Sequence, residues 1–311
     1  MSEAIPAILV LGETAAGKSD LAVELALAFG GEIISADAVA VYREMDIGSA
    51  KPDPAQRAAV SHHCLDCLDP EDSCDVGRWL ALADAAARDI HARGRRVIVA
   101  GGSPLYTKAF LEGLSTGAPR DAQLRRELEG RYDERGPAAL YAELAAVDPV
   151  YAAARHPNDR KRIVRALEVH RLTGRPFSSF HTTDGRRRGD YRTLLLGLRR
   201  DRETTNRRIN ARTKAMFANG LIDEVRRLAP RLSPEARQAV GYKEVIAHLA
   251  GEWDREQAIY RVARASRNLA KQQRTWYKRF RDIVWLDASE PEALHTRALD
   301  AARAFLTDSA G

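Results

Sequence analysis

The chain is poor in cysteine. It has three in 311 residues, Cys64, Cys67 and Cys74. An odd number crowded into one stretch excludes a disulfide framework. The stretch HHCLDCLDPEDSC supplies His62, His63, Cys64 and Cys67 as conceivable zinc ligands, but no second pair at finger or ribbon spacing follows, and reduced cysteines in a buried strand and turn are the preferred reading. Long hydrophobic runs are also missing: no segment approaches the ~18 apolar residues of a membrane span. Met1–Ala4 carries no basic n-region, and the apolar run Ala7–Leu11 is too short for a signal peptide, so a cytoplasmic protein is expected. No internal repeat, low-complexity tract or symmetric interface pattern is visible. A monomer without an obligate protein partner or membrane contact is the default expectation.

Acid is missing where base is plentiful. The net charge is only +6, yet residues 155–200 carry 13 Lys/Arg against 4 Asp/Glu, and residues 261–281 carry 8 Lys/Arg and no acid. Two basic segments in an otherwise acidic chain are the footprint of a polyanion, nucleic acid before membrane surface. In the second segment Arg264, Arg267, Lys271, Arg274, Lys278 and Arg281 recur at alternating helical spacings of 3 and 4. Such spacing makes one basic stripe on a helix. Trp276 and Tyr277 interleave with it, and core packing is the preferred role for Trp276 over stacking on bases.

The order of elements points to an α/β fold. IPAILVLG, EIISAD and RVIVAGG read as buried strands, separated by the helical patterns KSDLAVELALAF and GRWLALADAAARDIHARGR and followed by PLYTKAFLEGL. Alternation of this kind predicts a parallel sheet that binds ligands at the carboxyl ends of its strands. From Pro119 the texture changes to three helical patterns, DAQLRRELEGRYDERG, PAALYAELAAVDP and KRIVRALEVHRLTG, and a polar loop, SSFHTTDGRRRGDY. RTLLLGL then returns as a strand, and DIVWLD is a last edge strand. The expected organisation is a P-loop NTPase-like parallel sheet core over 1–118 and 191–311, with a helical insertion over 119–190 and a basic helical C-terminal region.

GETAAGKS, Gly12 to Ser19, has the spacing of a phosphate-binding loop that usually holds ATP or GTP. Its glycines let backbone N–H groups of Glu13, Thr14, Ala15, Ala16 and Gly17 turn onto phosphate oxygens. Lys18 adds a point charge, the Ser19 hydroxyl can hold Mg2+, and the next helix points its positive end at the anion. Hydrolysis would also want a strand ending in an acid to anchor metal and water. VIVAGGS ends in Gly101, Gly102 and Ser103 instead, and Asp287 of DIVWLD lies far from the loop in sequence. A diphosphate grip, an isolated carboxylate at Asp37 and a hydroxyl at Ser103 suit transfer of a group away from diphosphate.

Several motifs coincide with one family. The chain resembles the bacterial tRNA dimethylallyltransferases (tRNA isopentenyltransferases) in GETAAGKS, in IISADAVAVYREMDIGSAKP, in HHCLDCLDPED, in VAGGSPLY, in HPNDRKRIVRALEV, and in QAVGYKE and NLAKQQRTW near the C-terminus. Ala38 stands where the family usually has serine, Ser103 followed by Pro104 where it has threonine, and Gln272 where it has a basic residue. The resemblance implies transfer of a dimethylallyl group from dimethylallyl diphosphate to the exocyclic amine of the adenosine 3′ of the anticodon. It implies Asp37 as general base, Ser103 as a holder of the amine or the bridging oxygen, and Lys18, the loop N–H groups and Mg2+ as stabilisers of the leaving diphosphate. It also implies contacts to the tRNA anticodon stem-loop from Asp37, Ala38, Val39, Ala40, Ser103, Arg125, Lys161, Arg162, Arg165, Gln238, Gly241, Tyr242, Lys243, Arg267, Lys271 and Arg274. The residues by themselves leave two alternatives, an isopentenyltransferase acting on free adenine nucleotides and a P-loop nucleoside or nucleotide kinase.

Overall fold

The computed structural model describes residues 4–114, 119–180 and 187–308. The chain begins β1 (Ile5–Gly12), α1 (Lys18–Phe29), β2 (Gly31–Ser35), α2 (Pro54–Ala59), the two-residue β3 (His62–His63), α3 (Val76–Ala92), β4 (Arg96–Ala100) and α4 (Pro104–Glu112). Helices α5 (Ala122–Arg135), α6 (Pro137–Val147), α7 (Pro149–Ala153) and α8 (Arg160–Thr173) follow. The sheet resumes at β5 (Tyr191–Arg199), then come α9 (Arg202–Ala218), α10 (Leu221–Leu228), α11 (Tyr242–Leu249), α12 (Arg255–Tyr277), β6 (Ile283–Asp287) and α13 (Pro291–Thr307).

The six strands form one parallel sheet in the order β3-β2-β4-β1-β5-β6. Both faces are covered, which is why β1 reads as an unbroken apolar run rather than an alternation. Ile8 and Val10 pack with Leu21 and Leu25 of α1 and with Leu294 and Ala298 of α13. The side chains between them point to the opposite face, and Ala7, Leu9 and Leu11 are also buried. Trp79 of α3 is fully buried, donates its indole N–H to the Ser35 carbonyl (2.9 Å) and stacks on Tyr106. DIVWLD is indeed the edge strand, and Asp287 ends it in a turn by accepting the Ser289 N–H.

By compactness the chain divides into a unit of residues 1–111 and 188–311 and a unit of residues 112–187. These limits differ from the expected 119 and 190. Residues 188–190 join the sheet-bearing unit because Arg188 is held on both carboxylate oxygens of Asp84 in α3 and its N–H bonds the Leu111 carbonyl. The smaller unit has its own core of Leu128, Leu140, Leu144, Ile163 and Leu167. The short helix α7 was not foreseen; Asp148 starts it by capping the Tyr151 N–H. Residues 181–186 of the expected polar loop lie outside the described residues. Among the described residues no helix is long and apolar enough to cross a membrane.

One buried carboxylate organises the segment after β2. Glu224 of α10 is only 4% exposed. It accepts the N–H groups of Asp46, Ile47 and Gly48 and the Tyr242 hydroxyl at 2.6–3.0 Å. Gly48 is required there, since a Cβ would meet the Tyr242 ring at 2.4 Å. All four partners are donors, so an amide in place of the carboxylate must turn an NH2 toward at least one of them. Glu224→Gln is expected to cost this unit about 1–3 kcal/mol, read as a lower urea midpoint without a change in slope.

Candidate active site

Three strand ends build the site. At the end of β1, Gly12 has φ 148°, and a Cβ there would approach the Leu198 carbonyl of β5 at 2.7 Å. Only glycine lets the loop leave the sheet so close to its neighbour. The loop turns through Ala15 at φ 65° and Gly17 at φ 100° into α1. Ala16 is buried beneath it, and Ser19 is exposed on the first turn of α1. At the end of β2 lies Asp37, whose Oδ1 accepts the N–H groups of Val39 (2.8 Å) and Ala40 (3.2 Å). Its other oxygen has no hydrogen-bond partner among the described residues. After β4, Ser103 precedes α4, accepts the Tyr106 N–H and donates its own N–H to the Ala36 carbonyl. Gly101 packs so tightly that a Cβ would sit 2.2 Å from the Ala36 carbonyl oxygen.

Two cavities open on these strand ends. One of about 550 Å³ is lined by Thr14, Ala15, Gly17, Lys18, Ser19, Asp37, Gly101, Gly102, Arg208 and Arg212, and extends to Lys51, Asp53, Gln56 and His62. The other, about 300 Å³, has Val39, Pro104, Met216, Val240, Val262 and Leu269 as apolar walls, with Ala38, Ser103 and Gln273 beside them. Thr14, Lys18, Asp37, Ser49, Gly102 and Arg212 line both. The Lys18 ammonium donates to the Glu13 carbonyl at 2.8 Å. Burial lowers its pKa to about 8; the Asp37 carboxylate opposes the fall and the Arg212 guanidinium adds to it.

The loop is held by side chains that sequence reasoning missed. From α9, Thr205 donates to Glu13 (2.7 Å), Arg208 to the Ala15 carbonyl (2.9 Å) and Arg212 to the Thr14 hydroxyl (2.7 Å). From α12, Gln273 accepts the Thr14 N–H (2.8 Å) and donates to the Gly102 carbonyl (2.7 Å). The Thr14 N–H is therefore engaged and does not face a phosphate as expected. The spacing of Thr205, Arg208 and Arg212 on one helical face was the available signal.

Other expected contacts sit elsewhere. Tyr242 is fully buried with its hydroxyl on Glu224, so it is core and cannot meet RNA in this arrangement. Gly241 is buried beside it, while Gln238 and Lys243 are exposed. The basic stripe is shorter than expected because α12 stops at Tyr277, leaving Lys278 as the cap and Arg281 beyond the helix. Arg267 donates to Asn210 (2.6 Å), Arg274 is paired with Glu13 (2.7 Å), and Arg264 and Lys271 are exposed. Tyr277 is the core residue of the pair; Trp276 is half-buried, with Arg279 5.2 Å from its ring centre. In the smaller unit Arg125 and Arg165 both bind the buried Glu168, Arg162 pairs with Asp159, and Lys161 is exposed.

Two of the conceivable zinc ligands, His62 and His63, have other partners. The His62 ring meets the Val60 carbonyl and the His63 ring meets Glu32. Cys64 is buried, and burial pushes its thiol up to about 12. Among the described residues no three His, Cys, Asp or Glu side chains gather to hold a metal.

A parallel sheet with a phosphate loop, a carboxylate and a glycine-rich turn at adjoining strand ends defines a phosphate-loop α/β enzyme. The family described as IPP transferase matches residues 40–280, and that described as isopentenyl transferase matches residues 5–66. The chain is 47% identical over 293 residues to the tRNA dimethylallyltransferase of Anaeromyxobacter dehalogenans (strain 2CP-C), covering 93% of this chain and 98% of that one. Its fold is similar to the full-length tRNA isopentenylpyrophosphate transferase of Bacillus halodurans, with TM-score 0.73, 34% identity and 98% of each chain covered. It is also similar to a eukaryotic dimethylallyltransferase acting on tRNA, with TM-score 0.85, 27% identity, and 98% of this chain and 80% of that chain covered. The chain belongs to the tRNA dimethylallyltransferase family, and the protein is a transferase.

Lys18 carries a pH signature. Its charge is present below pH ~8 and lost above it. The affinity for inorganic diphosphate is expected to fall by up to about tenfold per pH unit above ~8, relative to Lys18→Met, which cancels the ligand's own titration. Stability has the opposite sign. Between about 8 and 10.5 the unfolded chain holds the Lys18 proton and the folded one does not, so stability should rise with pH across that window and not in the Met variant. Calorimetric titration and urea unfolding at several pH values check the two.

Proposed function

We propose that the protein transfers the dimethylallyl group of dimethylallyl diphosphate to the N6 amine of the adenosine 3′ of the anticodon in tRNA, releasing diphosphate. The observation that carries this reading is that Lys18 and Asp37 border both cavities. An anion grip and a free carboxylate oxygen thus meet at one boundary, with apolar walls beyond it. Diphosphate lies in the larger cavity against the loop, near Lys18, Arg208 and Arg212. The prenyl chain and the ring faces of the acceptor base lie toward Val39, Met216, Val262 and Leu269.

An adenine amine is a weak nucleophile because its lone pair is delocalised into the ring. It gains strength as its proton is drawn toward Asp37 during attack. The nitrogen lone pair forms the new C–N bond to the first carbon of the dimethylallyl group, the C–O bond breaks, and its electrons leave on diphosphate. Charge therefore grows on the diphosphate in the transition state, where Lys18 and the guanidiniums stabilise it most. Ser103 holds the amine or the bridging oxygen. The residues fit Mg2+ only in company with diphosphate: Ser19 lines the cavity as a hard oxygen donor, and the ion would offset charge on the leaving group. The target base must leave its stack to reach Asp37, and the exposed Arg264, Lys271 and Lys161 are sites for the tRNA backbone. The proposed compartment is the cytoplasm.

The test is to incubate the protein with labelled dimethylallyl diphosphate and tRNA, AMP or ATP. Label in tRNA alone is expected, and label in a free nucleotide overturns the assignment of acceptor. Asp37→Asn separates chemistry from the turn, since an amide oxygen can still accept the Val39 and Ala40 N–H groups. It is expected to bind both substrates nearly normally while the single-turnover rate falls roughly 10²-fold or more. Near-normal transfer would leave Asp37 as a turn residue only.

A further inference from the structure

Helix α12 presents two consecutive polar residues to the phosphate loop, and both are engaged inside the protein. Gln273 is 5% exposed. Its carbonyl accepts the Thr14 N–H and its NH2 donates to the Gly102 carbonyl. It thereby ties the loop after β1 to the turn after β4, the ends of two strands that are neighbours in the sheet. The fit is close: a Cβ on Gly102 would lie 2.6 Å from the Gln273 nitrogen and 3.7 Å from the Lys18 ammonium. Arg274, one residue on, places its Nε and a terminal nitrogen on one oxygen of Glu13 at 2.7 Å. Glu13 is 3% exposed, and its other oxygen takes the Thr205 hydroxyl of α9. A loop carboxylate beside an anion site would repel the anion. Paired with Arg274 and hydrogen-bonded to Thr205, it becomes an anchor instead.

We infer that Gln273 and Arg274 are positioning residues for diphosphate transfer, acting through Thr14 and Glu13 and not through contact with tRNA. The pair holds the loop in the shape that receives the anion and fixes its distance from Asp37 and Ser103. Consecutive helical residues point about 100° apart, so one reaches the Thr14 backbone and the other the Glu13 side chain. The same helix carries the exposed Arg264 and Lys271 on earlier turns, which leaves RNA binding to those residues.

This rests on the transfer reaction proposed above. Transfer by the wild-type protein checks that reaction, while binding by the variants checks the inference. The set is Arg274→Met, Glu13→Gln, the double variant, and Gln273→Met. Each is measured for calorimetric affinity to inorganic diphosphate, for kcat and KM with dimethylallyl diphosphate, and for tRNA affinity against salt. Glu13 and Gln273 are both too buried to reach the RNA backbone, and neither carries a positive charge, so neither can contribute to the salt slope.

Each single variant is expected to weaken diphosphate binding and to lower kcat/KM for dimethylallyl diphosphate by up to roughly 10²-fold, the effect of a small misplacement of the reacting groups. Tight tRNA binding and its salt slope should not change. The double variant should be no worse than the poorer single, because both changes break one contact. Three results would overturn the inference. Arg274→Met could lower the log–log salt slope by about one, Glu13→Gln could bind diphosphate normally, or the two effects could add. Should Arg274→Met not fold, Glu13→Gln and Gln273→Met decide the question alone, normal diphosphate affinity in either refuting it.

Discussion

Backbone N–H groups that converge on one point repel each other, so a loop shaped for phosphate needs support from outside. Here that support comes from two helices late in the chain. Thr205, Arg208 and Arg212 of α9 and Gln273 and Arg274 of α12 bond to Glu13, Thr14 and Ala15, while the sheet holds only the loop's first residue. Without these helices the loop would have its glycines but not its shape. The same contacts place two guanidiniums on the wall of the larger cavity, so one face of one helix both holds the loop and lines the space beside it.

A second constraint is the supply of donors around buried carboxylates. Glu13, Glu168 and Glu224 are each nearly or wholly buried, and each collects several donors from different elements. Leaving such a charge unpaired would cost far more than the pair contributes. The three therefore act as fixed points: Glu13 for the phosphate loop, Glu224 for residues 46–48, and Glu168 for the turn at Asp121 in the smaller unit. Gly48 and Ser49 line the apolar cavity, so the hold of Glu224 reaches the site through that segment.

The charge map illustrates why segment counts mislead about surfaces. Residues 155–200 look strongly basic in sequence. In the folded unit Arg160 pairs with Asp133, Arg171 with Glu127 and Glu143, and Arg165 with Glu168, acids drawn mostly from α5 and α6. Arg155 and Arg175 lie over the rings of Tyr151 and Phe180. Long side chains of this kind fill structural roles as readily as they meet a ligand.

The five longer strands, the phosphate loop and the place of Asp37 at a strand end were legible in the sequence, because these follow from short-range spacing: apolar runs of strand length, glycines where φ must be positive, and an acid just after β2; the two-residue β3 has no such run. The sequence also determined the family, whose signatures are local. What those parts touch depends on the packed chain. Gln273 meets Thr14 across 259 positions and Arg274 meets Glu13 across 261, and no periodicity encodes a contact so distant. The stripe on α12 was legible as helix, but not that one of its cations turns inward to a loop carboxylate while another lies past the helix end. The turn of Tyr242 into the core was equally hidden, because its partner, Glu224, reads in sequence as an ordinary surface acid of an amphipathic helix. Burial reverses such a residue's role, and burial is a property of the packed chain.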